Sequence, residues 1–323
     1  MTESVRPNHR GTTFFLITLV ALFGARLFID MVRLPASTAD ALQVVTTLVF
    51  VAIPLFALYR ASADEWPVSK AATFFGVGVG LHILGKVIAH FAFKDLGFGS
   101  VLFEAIAQTG LMIWCAGLGA LIASLLKDKN LILPVAIFLA CFDMFLVFNP
   151  AGPTAVMLKY APQIFKAVAI KVPSGVGIQP LVEIGPADFM FLMMFFVAVH
   201  KFGMRSRQTA IWMIPTLIAY LFVVLFLGKM SMGPISLGAL PALLPMGLVV
   251  LLVNLPEFQM NKEEKLGTFL ATVLGLSLVA IALWRASHNK PTVLQAAPSS
   301  VEAVPLKQAQ EGSLPQGAAG QSP

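Results

Sequence analysis

The chain has 323 residues, of which 58% are hydrophobic, 12% are charged and 25 are glycine, and its mean hydropathy is +0.84. A soluble domain is about a quarter charged, so this balance excludes a soluble globular enzyme, a disordered chain and a disulfide scaffold; the sustained apolar runs also exclude an outer-membrane β-barrel, whose strands alternate. The net charge of +6 is scattered through short loops between apolar runs, the pattern of membrane-orientation signals and not of a nucleic-acid partner.

A membrane span takes about 20 mostly apolar residues to cross about 30 Å of hydrocarbon. Segments 12–34, 41–59, 71–93, 101–126, 131–149, 185–201, 208–228, 236–255 and 266–284 meet that description. The expected fold is therefore all-α, a polytopic integral membrane protein with about nine transmembrane helices whose first partner is the lipid bilayer. Arg6 and Arg10 precede the first span, but its apolar stretch runs on through Leu27 and Phe28, so a retained helix is expected and not a cleaved signal peptide. Lys and Arg in the loops divide eleven to nine between the two sides, a balance that sets no orientation. The segment 286–323, rich in Ala, Gln, Pro, Ser and Gly, is expected to form a disordered tail.

Ionisable groups in hydrocarbon cost roughly 2.5–3.5 kcal/mol each on insertion scales, so each one marks a functional candidate. Arg26 and Asp30 lie four residues apart in the first span and share a helix face. His82, Lys86 and His90 repeat at the same interval in the third span and line one stripe. That stripe reads either as a proton or ion path or as a polar seam paired with Glu104 and lipid headgroups, with the seam favoured. His200, beside Lys201 at a span end, reads as an interfacial residue, and Cys115 and Cys141 as small buried ones. Gly76, Gly78 and Gly80 read as helix-packing positions.

Asp143 and Asp188 differ from the other candidates. Asp143 lies within the apolar run 131–149 with no basic residue within two turns on its own helix. Asp188 follows Gly185-Pro186; proline is tolerated in a first helical turn, so Pro186 opens the next helix and Asp188 falls where the helix dipole favours a carboxylate. Two such carboxylates facing each other would share one proton. Further on, Pro241 and Pro245 stand four apart in one apolar run. They cannot both sit within one regular helix, and broken backbone at membrane depth is tolerated only where it is buried in protein or lines a watery cavity.

In this order and spacing the residues resemble the presenilin and signal-peptide-peptidase superfamily of intramembrane aspartyl proteases. Phe142-Asp143 resembles the family's Tyr-Asp, Gly185-Pro186-Ala187-Asp188-Phe189 its Gly-x-Gly-Asp, and Pro241-Ala242-Leu243 its Pro-Ala-Leu motif. Pro150-Ala151-Gly152-Pro153 with Met157-Leu158 is similar to the presenilin sequence after the first catalytic helix. The chain departs from the pattern in three ways: Phe142 replaces a tyrosine, Ala187 replaces the second glycine, and five spans are expected through Asp143 and one after the Pro-Ala-Leu span, where the family has six and none.

The resemblance covers 131–255 and implies a catalytic core there; the apolar runs add membrane helices over 1–130 and one further membrane helix over 256–285, before the tail over 286–323. The resemblance implies an aspartic endopeptidase that needs no cofactor or metal and cleaves transmembrane or signal-peptide helices within the bilayer. Asp143 and Asp188 would be catalytic, Pro241, Ala242 and Leu243 would bind substrate, and Phe142, Gly185 and Ala187 would support the motifs. Presenilins work with accessory subunits and signal peptide peptidases alone, and both forms stay open. Two rival readings also stand: a catalytically inactive relative that binds membrane proteins, and a proton-coupled transporter using Asp143, Asp188, Glu104 and the His82 stripe. The segment 150–184, with Lys159, Lys166 and Lys171 among apolar residues, suits an interfacial position. No His-Glu-x-x-His zinc-protease motif occurs, and Met190 replaces the lysine that prepilin peptidases place after their second aspartate.

Overall fold

The structure, a computed structural model, describes residues 10–32, 36–93, 97–149, 152, 160, 167–174, 183–227, 231–232, 235–236 and 241–288. The expected tail beyond His288, most of the interfacial segment 150–184 including Lys159 and Lys166, and Gly233, Pro234 and Leu240 lie outside the described residues.

The chain is helical, as its composition dictates. Helices α1 (Arg10–Met31), α2 (Ala36–Ser62), α3 (Val68–Ala92), α4 (Phe98–Leu125) and α5 (Ile132–Phe148) run alternately up and down. They are followed by α6 (Pro186–Lys201), α7 (Ser206–Leu227), α8 (Leu243–Asn254) and α9 (Lys262–His288). Short 3-10 helices at Lys129–Leu131 and Leu255–Glu257 and two antiparallel pairs of two-residue strands, β1 (Ile170–Lys171) with β2 (Glu183–Ile184) and β3 (Ser231–Met232) with β4 (Ile235–Ser236), complete the described elements.

Among the described residues seven helices are long and apolar enough to cross a membrane, which is compatible with a multi-pass membrane protein. The expected count of nine is not reached among them. The two that fall short are α6, 16 residues and about 24 Å at 1.5 Å per residue, and α8, 12 residues and about 18 Å. Apolar composition made 185–201 and 236–255 look like full spans, but each helix starts late. Pro186 opens α6, and α8 begins only at Leu243, after Pro241. Pro245 falls in the first turn of α8, where a missing N–H costs nothing, so one proline precedes the helix and the other sits inside its start.

Helix α6 is the centre of the molecule. Phe189 and every residue from Leu192 to Val199 are buried, and α2, α4, α7 and α8 surround the helix. A helix that is apolar all round belongs in a core. Glycines let the backbones approach. A Cβ on Gly119 of α4 would stand 2.2 Å from the Met190 carbonyl oxygen of α6, and one on Gly78 of α3 would stand 2.3 Å from the Trp114 nitrogen of α4. Of the three alternating glycines in α3, only Gly78 packs against a neighbour; Gly76 and Gly80 have open space around them. Helices α3 and α9 lie on the outside, and α9 packs closely on α5, where Gly275 meets Cys141.

Candidate active site

The functional candidates gather at the bundle end opposite the start of α1, here called the far end. Odd-numbered α1 to α5 run toward it, and α6 and α8 start from it. Asp143 is half-buried on α5, five residues before the helix ends at Phe148, hence about 7.5 Å below the far end. Asp188 is half-buried in the first turn of α6. Leu243 is the first residue of α8.

One hydrogen bond joins two of the sequence motifs. The backbone N–H of Leu243 donates to Oδ2 of Asp143 at 2.9 Å. The first N–H groups of a helix have no partner within it, so Asp143 caps α8 from a different helix, at the positive end of that helix's dipole. Its close approach is built into the sequence: Gly247 of α8 packs against Ala136 and Ala140 of α5, with 3.1 Å between a built Cβ and the Ala136 carbonyl oxygen. The other end of α8 is pinned by Asn254, whose Oδ1 accepts from the Arg205 N–H at 3.1 Å and whose Nδ2 donates to Thr209 Oγ1 at 2.9 Å.

Asp188, in the first turn of α6, lies within the electrostatic field of Asp143 on α5. Behind Asp188, the Cys115 thiol of α4 donates to the Pro186 carbonyl oxygen at 3.3 Å. Together with Gly119 one turn further along α4, Cys115 locates the first turns of α6. The motif residues around Asp188 have distinct placements. Gly185 has an extended conformation open to any residue, and a Cβ there would lie 3.4 Å from the Asp188 carboxylate, an ordinary contact. Ala187 is exposed, so its methyl meets no packing restriction. The close approach that a motif glycine would provide comes from Gly119 on another helix. Phe142 stacks with Phe138 and Phe145 at ring separations of 5.8 and 6.3 Å, on a partly exposed face of α5. Pro241 is buried, and Ala242 is the residue from which α8 starts.

The stripe on α3 forms a seam. Lys86 Nζ donates to Glu104 of α4 at 2.6 and 2.9 Å, Lys171 Nζ lies 3.7 Å from the same carboxylate, and His82 Nδ1 is 2.9 Å from the Ala107 carbonyl oxygen. His90 makes a ring contact with Phe91. The seam has a mechanical role. Gln108 of α4 donates to the Ala169 carbonyl oxygen at 3.2 Å and accepts from the Lys171 N–H at 3.2 Å, and the Arg26 guanidinium donates to the Lys171 carbonyl oxygen. These bonds fix β1, β1 pairs with β2, and β2 leads through Gly185 into Asp188. Arg26 also lies in the field of Asp30, four residues further along α1. His200 is half-buried, bonded to the Phe196 carbonyl oxygen and 3.1 Å from Ser62 Oγ, a tie between α6 and the end of α2.

Sequence reasoning missed Tyr220 of α7. Its hydroxyl is buried, has no hydrogen-bond partner among the described residues, and lies in the field of both Asp143 and Asp188. A tyrosine in the apolar run 208–228 carries no pattern that marks it; only packing does. No group of three or more His, Cys, Asp or Glu gathers among the described residues. Comparison with protein-family models, with curated proteins and with solved structures finds no match to this chain.

Proposed function

We propose that the protein is an intramembrane aspartyl protease that hydrolyses peptide bonds of transmembrane or signal-peptide helices. The observation that supports this most is the meeting of the three motifs at one end of the bundle: Asp143 holds the Leu243 N–H at 2.9 Å, and Asp188 lies within the field of Asp143.

Two coupled carboxyl groups retain one proton between them, because like charges at close range cannot both ionise. The ionised member takes a proton from a water held between the pair, and the water oxygen attacks the scissile carbonyl carbon. The protonated member donates a hydrogen bond to the carbonyl oxygen and keeps its proton. As the tetrahedral intermediate collapses, the C–N bond breaks and the leaving nitrogen collects the proton first taken from water.

At 1.5 Å per residue α6 and α8 are about 6 and 12 Å shorter than a 30 Å hydrocarbon layer. Asp188 and Leu243 stand in the first turns of these two short helices, a placement that supports access of water to the pair. A substrate helix hides its carbonyls in its own i→i−4 bonds and must unwind to be cut. The chain before Leu243 includes the short β3–β4 pair and, two residues from the N–H that Asp143 holds, buried Pro241, non-helical backbone to which an extended peptide could add as a strand.

The transporter alternative loses support from the seam, because Lys86, Glu104 and Lys171 are paired with one another and Gln108 is spent on β1. The test is cleavage of a single-span reporter by purified protein in liposomes. Asp143→Asn and Asp188→Asn should each abolish the cut while the protein stays folded. Cleavage at the parental rate by either variant sinks the proposal.

A further inference from the structure

The Tyr220 hydroxyl is a buried, unpartnered polar group that the two-carboxylate scheme does not use. Helix α7 carries it in contact with both α6 and α8, the two helices whose first turns frame the dyad. From Tyr220 to the end of α7 at Leu227 is seven residues, about 10 Å of rise, which sets the residue near the depth of Asp143. Pro215 stands five residues earlier inside the same helix, a position where the backbone ladder is interrupted and a helix bends.

A buried hydroxyl ordinarily finds a partner, because leaving it unpaired costs the full desolvation of the group. Among the described residues this is the one buried side-chain polar atom without a hydrogen bond. The carboxylate oxygens that would satisfy it are close enough to act on it electrostatically, yet none accepts from it. The hydroxyl therefore matches a ligand oxygen that enters between α6, α7 and α8.

We propose that Tyr220 is a catalytic residue of the protease, its hydroxyl donating to the scissile carbonyl oxygen as that oxygen gains negative charge. This rests on the protease reading above. In the step itself the water oxygen bonds to the carbonyl carbon, the water's proton passes to the ionised carboxylate, and the carbonyl π electrons move onto oxygen. Tyr220 and the protonated carboxyl group stabilise that oxygen by hydrogen bonds, and Tyr220 keeps its proton throughout. When the C–N bond breaks, those electrons return to the carbonyl and the nitrogen takes the proton that the ionised carboxylate had accepted from water. The interaction is stronger in the transition state than with the neutral substrate, so it acts on kcat and leaves KM nearly unchanged.

The experiment compares the parent with Tyr220→Phe in liposomes on the same reporter span, with kcat, KM and melting temperature measured for both. The expected result is a fall in kcat of about tenfold to a hundredfold, below or at the range seen when one such donor is removed elsewhere, with KM within twofold. The melting temperature should hold or rise, since the variant deletes an unpaired buried hydroxyl. A peptide carrying a hydroxyethylene in place of the scissile bond should bind Tyr220→Phe more weakly by about the factor lost in kcat. Parental kcat in the variant overturns the role of Tyr220 and leaves the protease reading standing. A lower melting temperature with kcat unchanged also overturns it, in favour of a structural role. A parent that does not cleave overturns both.

Discussion

Replacing Gly119 by alanine probes how finely the helices must meet. The added Cβ would lie 2.2 Å from the Met190 carbonyl oxygen, which is backbone of α6 and cannot rotate away. Restoring an ordinary contact of at least 3.4 Å requires α4 and α6 to part by about 1 Å, and the displaced segment begins only two residues after Asp188. Overpacking of this kind costs about 1–3 kcal/mol. A misplacement of about 1 Å in a catalytic group costs about a hundredfold in rate. Gly119→Ala should therefore lower the melting temperature in detergent and reduce reporter cleavage by about two orders of magnitude. Gly76→Ala serves as the control, because open space surrounds that position. It should leave cleavage intact and hold or gain up to about 1 kcal/mol from alanine's helix propensity. If Gly119→Ala melts and cleaves like the parent, the close approach of α4 to α6 does not position Asp188 and the reasoning fails.

The seam makes a separate prediction. Glu104→Gln leaves Lys86 and Lys171 without their carboxylate and should destabilise by about 1–3 kcal/mol, while Lys86→Met with Glu104→Leu should recover most of that loss; a double-mutant cycle with no coupling would contradict the pairing. Asp64 accepts from the Gly11 and Thr12 N–H groups and the Thr12 hydroxyl at the start of α1. Asp64→Ala should cost about 1–2 kcal/mol and speed amide exchange over the first turn of α1; unchanged exchange there would show that the cap is not formed. Ala187→Gly should leave cleavage within twofold, because the Ala187 methyl is exposed, and a large gain in rate would show that the methyl obstructs the site.

Much of this architecture was legible in the residues. Apolar run length located the nine helices α1 to α9, since hydrocarbon-length stretches have few other uses. The four-residue interval of His82 and Lys86 and the single nearby Glu104 pointed to a seam, and Lys86 does pair with Glu104. Pro186 at the head of α6 and the break between Pro241 and Pro245 followed from proline's missing N–H. Hydropathy overstated α6 and α8, because it sums composition and is blind to where backbone leaves the helix. Phe142 and Ala187 looked consequential as motif positions, yet one lies on an outer aromatic stack and the other is exposed. Gly119 and Tyr220 sit far away in sequence from the motifs, and only the packing of α4, α6 and α7 brings them to notice.

The central claim is that Asp143 and Asp188 together turn one water against a peptide bond. Its most direct test is cleavage of a reporter span by reconstituted protein in ¹⁸O-labelled water, with the fragments weighed by mass spectrometry beside the two Asp→Asn variants. The account predicts one labelled oxygen in the new carboxyl end of the parental product and intact reporter with either variant. An uncut reporter in the parental sample, or labelled product from Asp143→Asn or Asp188→Asn at the parental rate, would contradict it.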